Sequence, residues 1–211
     1  MTNKEFDNLC FGILLDKYGS DYFTPKERQE IMNKALLEWY RLSVDEYEVN
    51  SKKRTELWRY EKDKSFDKVS KVKLSELGSF YRLTAVTAVF DVACINDEVI
   101  RDVKPRSKDT YGRGESFYFT KCDDFEPCYL NKTENGERIL DIMSETTPKV
   151  LTLFYLRNIE LIDLKVDKEV DVEDTIAREI LPPRVVRVAE KIIESQNYSN
   201  SVNVEVPIIN N

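Results

Sequence analysis

The chain has 211 residues, 32 Lys+Arg against 39 Asp+Glu for a formal net charge of −7, and 41% hydrophobic residues, the balance of a globular protein with a heavily charged surface. It contains no histidine, which excludes Ser–His and Cys–His nucleophile pairs, imidazole proton shuttles and every histidine metal site. No apolar run approaches the ~20 residues a bilayer-spanning helix needs, and the first residues lack a basic then apolar leader, so neither a membrane partner nor secretion is expected.

Thr2 and Glu5 stand at capping-box spacing, in which hydroxyl and carboxylate each meet an orphan backbone N–H. They open a helix whose apolar face reads Phe6, Leu9, Cys10, Ile13 and Leu14. Gly19 is placed to end it in a left-handed conformation. Thr24-Pro25-Lys26-Glu27 repeats the box with proline at the first helical position. The second helix then carries Ile31, Ala35, Trp39 and Leu42 on one face, flanked by Met32, Leu36 and Tyr40, so Trp39 is expected in the core. Ser43, Asn50 and Ser51 weaken the helical pattern toward Trp58.

From about residue 66 the period becomes that of strands. Residues 82–94, rich in Val and Phe, and the shorter runs 99–103, 116–120, 150–156 and 159–166 read as strands. Residues 104–115, with Pro105, Gly112 and Gly114, read as an exposed loop. Pro182-Pro183 precedes a short helix through Val185, Val188, Ala189, Ile192 and Ile193. Val202, Val204 and Val206 alternate in an Asn/Ser-rich terminus. They predict an extended arm with one apolar side, and are the candidate contacts between subunits. Helices and strands are segregated along the chain, which predicts an α+β fold. The expected parts are a helical unit (1–65), a mainly antiparallel β-rich region (66–181), a C-terminal helix (182–198) and the arm (199–211).

No chemistry-bearing constellation stands out. Cys10, Cys94, Cys122 and Cys128 form no close C-x₂₋₄-C pair, so no metal is expected. A disulfide framework is not expected in the reducing compartment of a chain without a secretory signal, and Cys10 and Cys94 read as buried thiols. Asp123 and Asp124 are adjacent, which on a strand puts them on opposite faces. Gly112-Arg113-Gly114 lacks the Lys-Ser/Thr of a phosphate loop. The reading is therefore non-enzymatic, without cofactor. Residues 52–73 gather Lys52, Lys53, Arg54, Arg59, Lys62, Lys64, Lys68, Lys71 and Lys73 around Trp58, Tyr60 and Phe66. That composition admits a nucleic-acid-binding regulator as the alternative function, although mixed charge runs more often mark a solvated face. Residues 160–179 are acidic, and segments of opposite sign in one chain suit head-to-tail contacts between copies.

The order of segments carries a resemblance. Phe6 and Leu9, Leu14-Leu15-Asp16-Lys17, Tyr22-Phe23-Thr24-Pro25-Lys26-Glu27 and Asn33-Lys34-Ala35 are similar to the opening of neck proteins of tailed bacteriophages, particularly the ring proteins of crAss-like phages. Residues 150–157 and 159–164, then the Pro-led helix from Pro182 to Glu194, resemble the end of those chains, with Ile159 standing where their pattern has proline. The resemblance implies a virion protein, assembled in the host cytoplasm, that forms a head-to-tail connector ring. Its implied partners are copies of itself, a dodecamer, with the portal or neighbouring neck and tail rings. Genomic DNA would pass through the lumen without specific binding.

Overall fold

A computed structural model of the chain describes residues 1–19, 22–92, 97–106 and 122–204. The fold is α+β, in two compact units: Met1–Leu57 together with the chain from Ile159 onward, and Trp58–Asn158 inserted between them. The expected boundaries near 65 and 181 move to Leu57 and Asn158, because 159–175 packs with the helices rather than with the strands. The acidic excess of the chain resides in the helical unit, while Trp58–Asn158 carries equal numbers of acidic and basic side chains.

In the helical unit, α1 (Asn3–Tyr18) starts at the Thr2/Glu5 capping box and stops at Gly19, whose φ of 70° is left-handed. The second helix, α2 (Pro25–Asp45), starts at the Thr24/Glu27 box. The α1 stripe buries Phe6, Cys10, Phe11 and Leu14, whereas Leu9 and Ile13, expected on it, are exposed. Helix α2 buries Ile31, Met32, Ala35, Leu36, Trp39, Tyr40 and Val44, and Leu42 is exposed. In both cases the packed face is rotated slightly from the one the apolar residues alone suggest. Helix α2 does not run on toward Trp58: it ends before a turn at 46–50, and α3 (Ser51–Leu57) follows.

The returning segment 159–175 is a strap, not the strand its aliphatic residues suggest. Side chains pair its first part, and the first residues of the chain pair its end: Asn3 N–H donates to the Lys168 carbonyl (2.8 Å) and Val170 N–H to the Met1 carbonyl (3.1 Å). The Asn33 amide donates to the Ile162 carbonyl (3.0 Å) and accepts from the Ile162 N–H (2.7 Å), and Gln29 Oε1 accepts from Leu164 N–H. Asn3 Nδ2 donates to the carbonyls of Asp163 and Val166. Ile159, Ile162, Val170 and Val172 are buried beneath it. One π turn (Ile176–Ile180) then leads into α4 (Leu181–Val204). Pro182 and Pro183 lack the N–H groups that would bond back into that turn, which accounts for its wider winding. Helix α4 buries Leu181, Val185, Val188, Ala189 and Ile193 against α1 and α2. It continues to Val204, so Val202 and Val204 are helical rather than part of an extended arm. The regular helix already running through Asn197 and Tyr198 overrides the β preference of two isolated valines. Val206 lies outside the described residues.

The inserted unit opens with one 3₁₀ turn (Trp58–Tyr60) and then β1 (Glu61–Asp67), where the sequence suggested a charged helix end. The remaining strands are β2 (Lys71–Lys73), β3 (Phe80–Val92), β4 (Asp97–Asp102), β5 (Lys104–Pro105), β6 (Cys128–Glu134), β7 (Glu137–Met143) and β8 (Val150–Arg157). They form two four-stranded sheets, β1-β8-β3-β4, all antiparallel, and β2-β7-β6-β5, with only β5–β6 parallel. Val86, Ala88 and Phe90 of β3 and Leu151, Leu153 and Tyr155 of β8 meet Val72, Leu140 and Ile142 of the other sheet in one core. The loop expected over 104–115 thus begins as a strand, and Arg106 N–H still bonds the Tyr129 carbonyl. Residues 107–115, the expected strand 116–120 and Cys94 lie outside the described residues.

The β6–β7 hairpin turns at Asn135 and Gly136, with φ of 52° and 81°, the two left-handed residues a tight two-residue turn requires. Gly136→Ala should cost roughly 1 kcal/mol, measured as a lowered denaturation midpoint with an unchanged slope. Against expectation, Cys122 and Cys128 form a disulfide. The chain returns on itself at the start of β6 and brings their Cα atoms to 5.7 Å, inside the range that permits a bond. Spacing alone did not show this return.

Candidate functional site

The outward face of the first sheet is unlike an ordinary solvated surface. Strand register fixes which side chains share it. Asp63, Phe154 and Ala85 lie in one row; Ser65, Thr152, Thr87 and Asp102 in the next; Asp67, Val150, Val89 and Ile100 in a third. The opposite side chains of β3 and β8 fill the core, so this face looks away from it. An antiparallel sheet with one solvated side normally alternates apolar inward and polar outward. Here β8 reads Val-Leu-Thr-Leu-Phe-Tyr-Leu, and its outward positions are apolar or hydroxyl-bearing. Ile100 is 69% exposed and Phe154 38%.

The face is organised as well as open. Ser65 and Thr152 hydroxyls bond across the strands at 2.9 Å, so the middle of the face is polar but uncharged. Acidic residues stand on both edge strands: Asp63 and Asp67 on β1, Asp102 and Glu98 on β4, all exposed. Lys149 bonds Glu98 and lies 3.8 Å from Asp91. The Glu98 hydrogen bond and then the Asp91 charge raise the Lys149 ammonium pKa above its ordinary value, and this cation offsets one of the two carboxylates at that end of the face. Asp63, Asp67 and Asp102 carry no such counterion among the described residues. Apolar side chains on either side of a hydroxyl-bearing row, with a charged margin, make the layout of a protein–protein contact surface.

The other candidates have structural roles. Asp123 Oδ1 accepts the N–H groups of Phe125 (2.8 Å) and Glu126 (2.7 Å), and Asp124 takes the N–H and hydroxyl of Thr146. Both carboxylates are turn supports. Burial, then the Asp7 carboxylate, pushes the Cys10 thiol pKa far up, so it is no nucleophile. Native protein should therefore leave Cys10 unalkylated by iodoacetamide at pH ~8, with labelling appearing only on unfolding, as read by peptide mass. Among the described residues no three Cys, Asp or Glu side chains gather as a metal site, and no helix is long and apolar enough to cross a membrane.

The basic stretch 52–73 does not form one face. Lys53 pairs with Glu56 at 2.7 Å on α3, Lys64 donates to the Glu76 carbonyl, and Lys73 pairs with Glu137 at 2.6 Å. Lys71 lies between Glu134 and Asp141. On β1 the alternation Glu61-Lys62-Asp63-Lys64 sends acids to the outward face and lysines to the other. Of the arm residues singled out from sequence, Val202 and Val204 sit in the last turn of α4 and neither is on this face. The signal for the face was the nearly continuous apolar run of β8, broken only by Thr152, the pattern of a strand covered on both sides. No protein-family model matches this chain, and no curated protein matches it.

Proposed function

We propose that the chain is a non-enzymatic structural subunit of an oligomeric ring, of the kind that joins capsid portal to tail in the virion neck and surrounds the DNA passage. The observation that carries it is the open face of Val89, Val150, Phe154 and Ile100 on β3, β8 and β4. Such a face costs solvation free energy while bare and regains it when a neighbour covers it. The neck assignment itself rests on the resemblance of the segments 6–35 and 150–194. Helical-unit acidity suits a lumen, since like charge does not grip phosphates and lets DNA slide.

Mass photometry of the purified protein, alone and with a candidate portal, is the test. Closed oligomers, or a complex with the portal, are the expected result; monomers alone at every concentration and with the portal would overturn the reading. Ile100→Thr with Phe154→Thr should weaken assembly while keeping the fold, since threonine retains strand preference and adds no charge opposite Asp63; a melting curve separates lost assembly from lost stability. The alternative, a nucleic-acid regulator working through 52–73, requires micromolar, steeply salt-dependent DNA binding. A filter-binding salt series reads that directly.

A further inference from the structure

A second surface complements the open face. On α4, Arg184, Arg187 and Lys191 stand at i, i+3 and i+7 and share one side of the helix. They line a groove of about 430 Å³ whose apolar wall is Ile180, Pro183 and Val188. Glu38 and Glu179 also line it, leaving cations in excess. None of the three cations has a hydrogen-bond or ion-pair partner among the described residues, although they belong to the unit that holds the acidic excess of the chain.

We propose that this groove receives the β1 margin of the sheet face of a second copy, so that the ring contact is head-to-tail. The inference rests on the ring reading above and names its two sides. Both sides are apolar strips bordered by charge, and the charges have opposite sign. The spans are comparable, and long flexible cations can reach across the difference: Asp63 to Asp67 covers about 13 Å of strand, and Arg184 to Lys191 about 10 Å of helix. Asp63 and Asp67, like the cations, have no counterion among the described residues. Two different patches on one chain make a heterologous contact, which closes into a ring when the rotation divides the circle. A self-paired dimer would instead bring acid against acid on the sheet face.

Charge reversal tests it. One variant carries Arg184→Glu, Arg187→Glu and Lys191→Glu; another carries Asp63→Lys and Asp67→Lys; a third carries all five. Each of the first two should weaken assembly by on the order of tenfold or more, and the five-fold variant should restore it, with circular dichroism melts confirming the fold. If reversal lowers the melting point, the neutral set R184Q, R187Q and K191Q replaces it. Raising salt from about 50 to about 500 mM should then weaken the parent and not the neutral set. Reversed or neutral variants that assemble like the parent, or a five-fold variant that stays dispersed, would overturn this contact and leave the ring reading standing. A parent that never assembles, alone or with a portal, would overturn both.

Discussion

Replacing Trp39 by alanine is expected to lower the unfolding free energy by about 3–5 kcal/mol. The indole is 1% exposed on α2, in the stripe with Ile31, Ala35 and Tyr40 that packs on α4. Its ring leans on Tyr40 with centroids 6.4 Å apart. Alanine leaves a void that neighbouring helices cannot close without moving, so lost transfer energy and lost contacts add. Trp39→Phe should cost distinctly less. The indole N–H is buried without an acceptor among the described residues, and phenylalanine removes that unsatisfied donor along with part of the volume. Urea denaturation of the three proteins checks the order. An alanine variant as stable as the parent would show that this helix face is not packed.

Asn33→Ala is the second large effect, about 2–4 kcal/mol. One side-chain amide satisfies both backbone groups of Ile162, as a neighbouring strand would. Alanine leaves a donor and an acceptor unpaired in a half-buried place, at about 1–3 kcal/mol each before water compensates. Asn33→Asp keeps the acceptor but turns a carboxylate oxygen toward the Ile162 carbonyl. It should be destabilising near pH 7 and partly relieved on acidification, as protonation restores a donor. Hydrogen exchange should show faster exchange at Ile162 and Leu164 in both variants, with β3 and β8 unaffected.

Asn33 also shows where sequence reading stops. Both capping boxes, the Gly19 stop, Trp39 in the core and strands at 82–92 and 150–156 were legible, because each depends on residues close in the chain. The strap was not: Ile159 to Val166 has strand-like composition, and only the fold brings Gln29 and Asn33 from 129 to 135 positions away to take its hydrogen bonds. Two further local signals stand in the sequence. Asn135-Gly136 marks a hairpin, and the alternating charges of Glu61-Lys62-Asp63-Lys64 have the period of a strand with unlike faces. The same alternation on an edge strand discourages indiscriminate pairing with other sheets. The Cys122–Cys128 bond was not legible, since spacing says nothing about where a loop returns. The open face was half visible. Its apolar run on β8 could be seen, but only register shows which side looks outward.

The way the β unit is inserted has a consequence for folding. Its first and last strands, β1 and β8, are direct neighbours, with Glu61 opposite Leu156. The chain therefore leaves the helical unit and comes back at nearly the same point. While Trp58–Asn158 is unfolded, α3 and the strap are joined by a floppy tether of about a hundred residues, and closing it costs about 4 kcal/mol of chain entropy. Once β1 zips onto β8, that tether shrinks to a hinge a few residues long. The inserted unit thus acts as a clasp for the two halves of the helical unit without needing to touch them. Its excision behind a short linker should leave a helical unit that folds faster than one carrying the same insert scrambled.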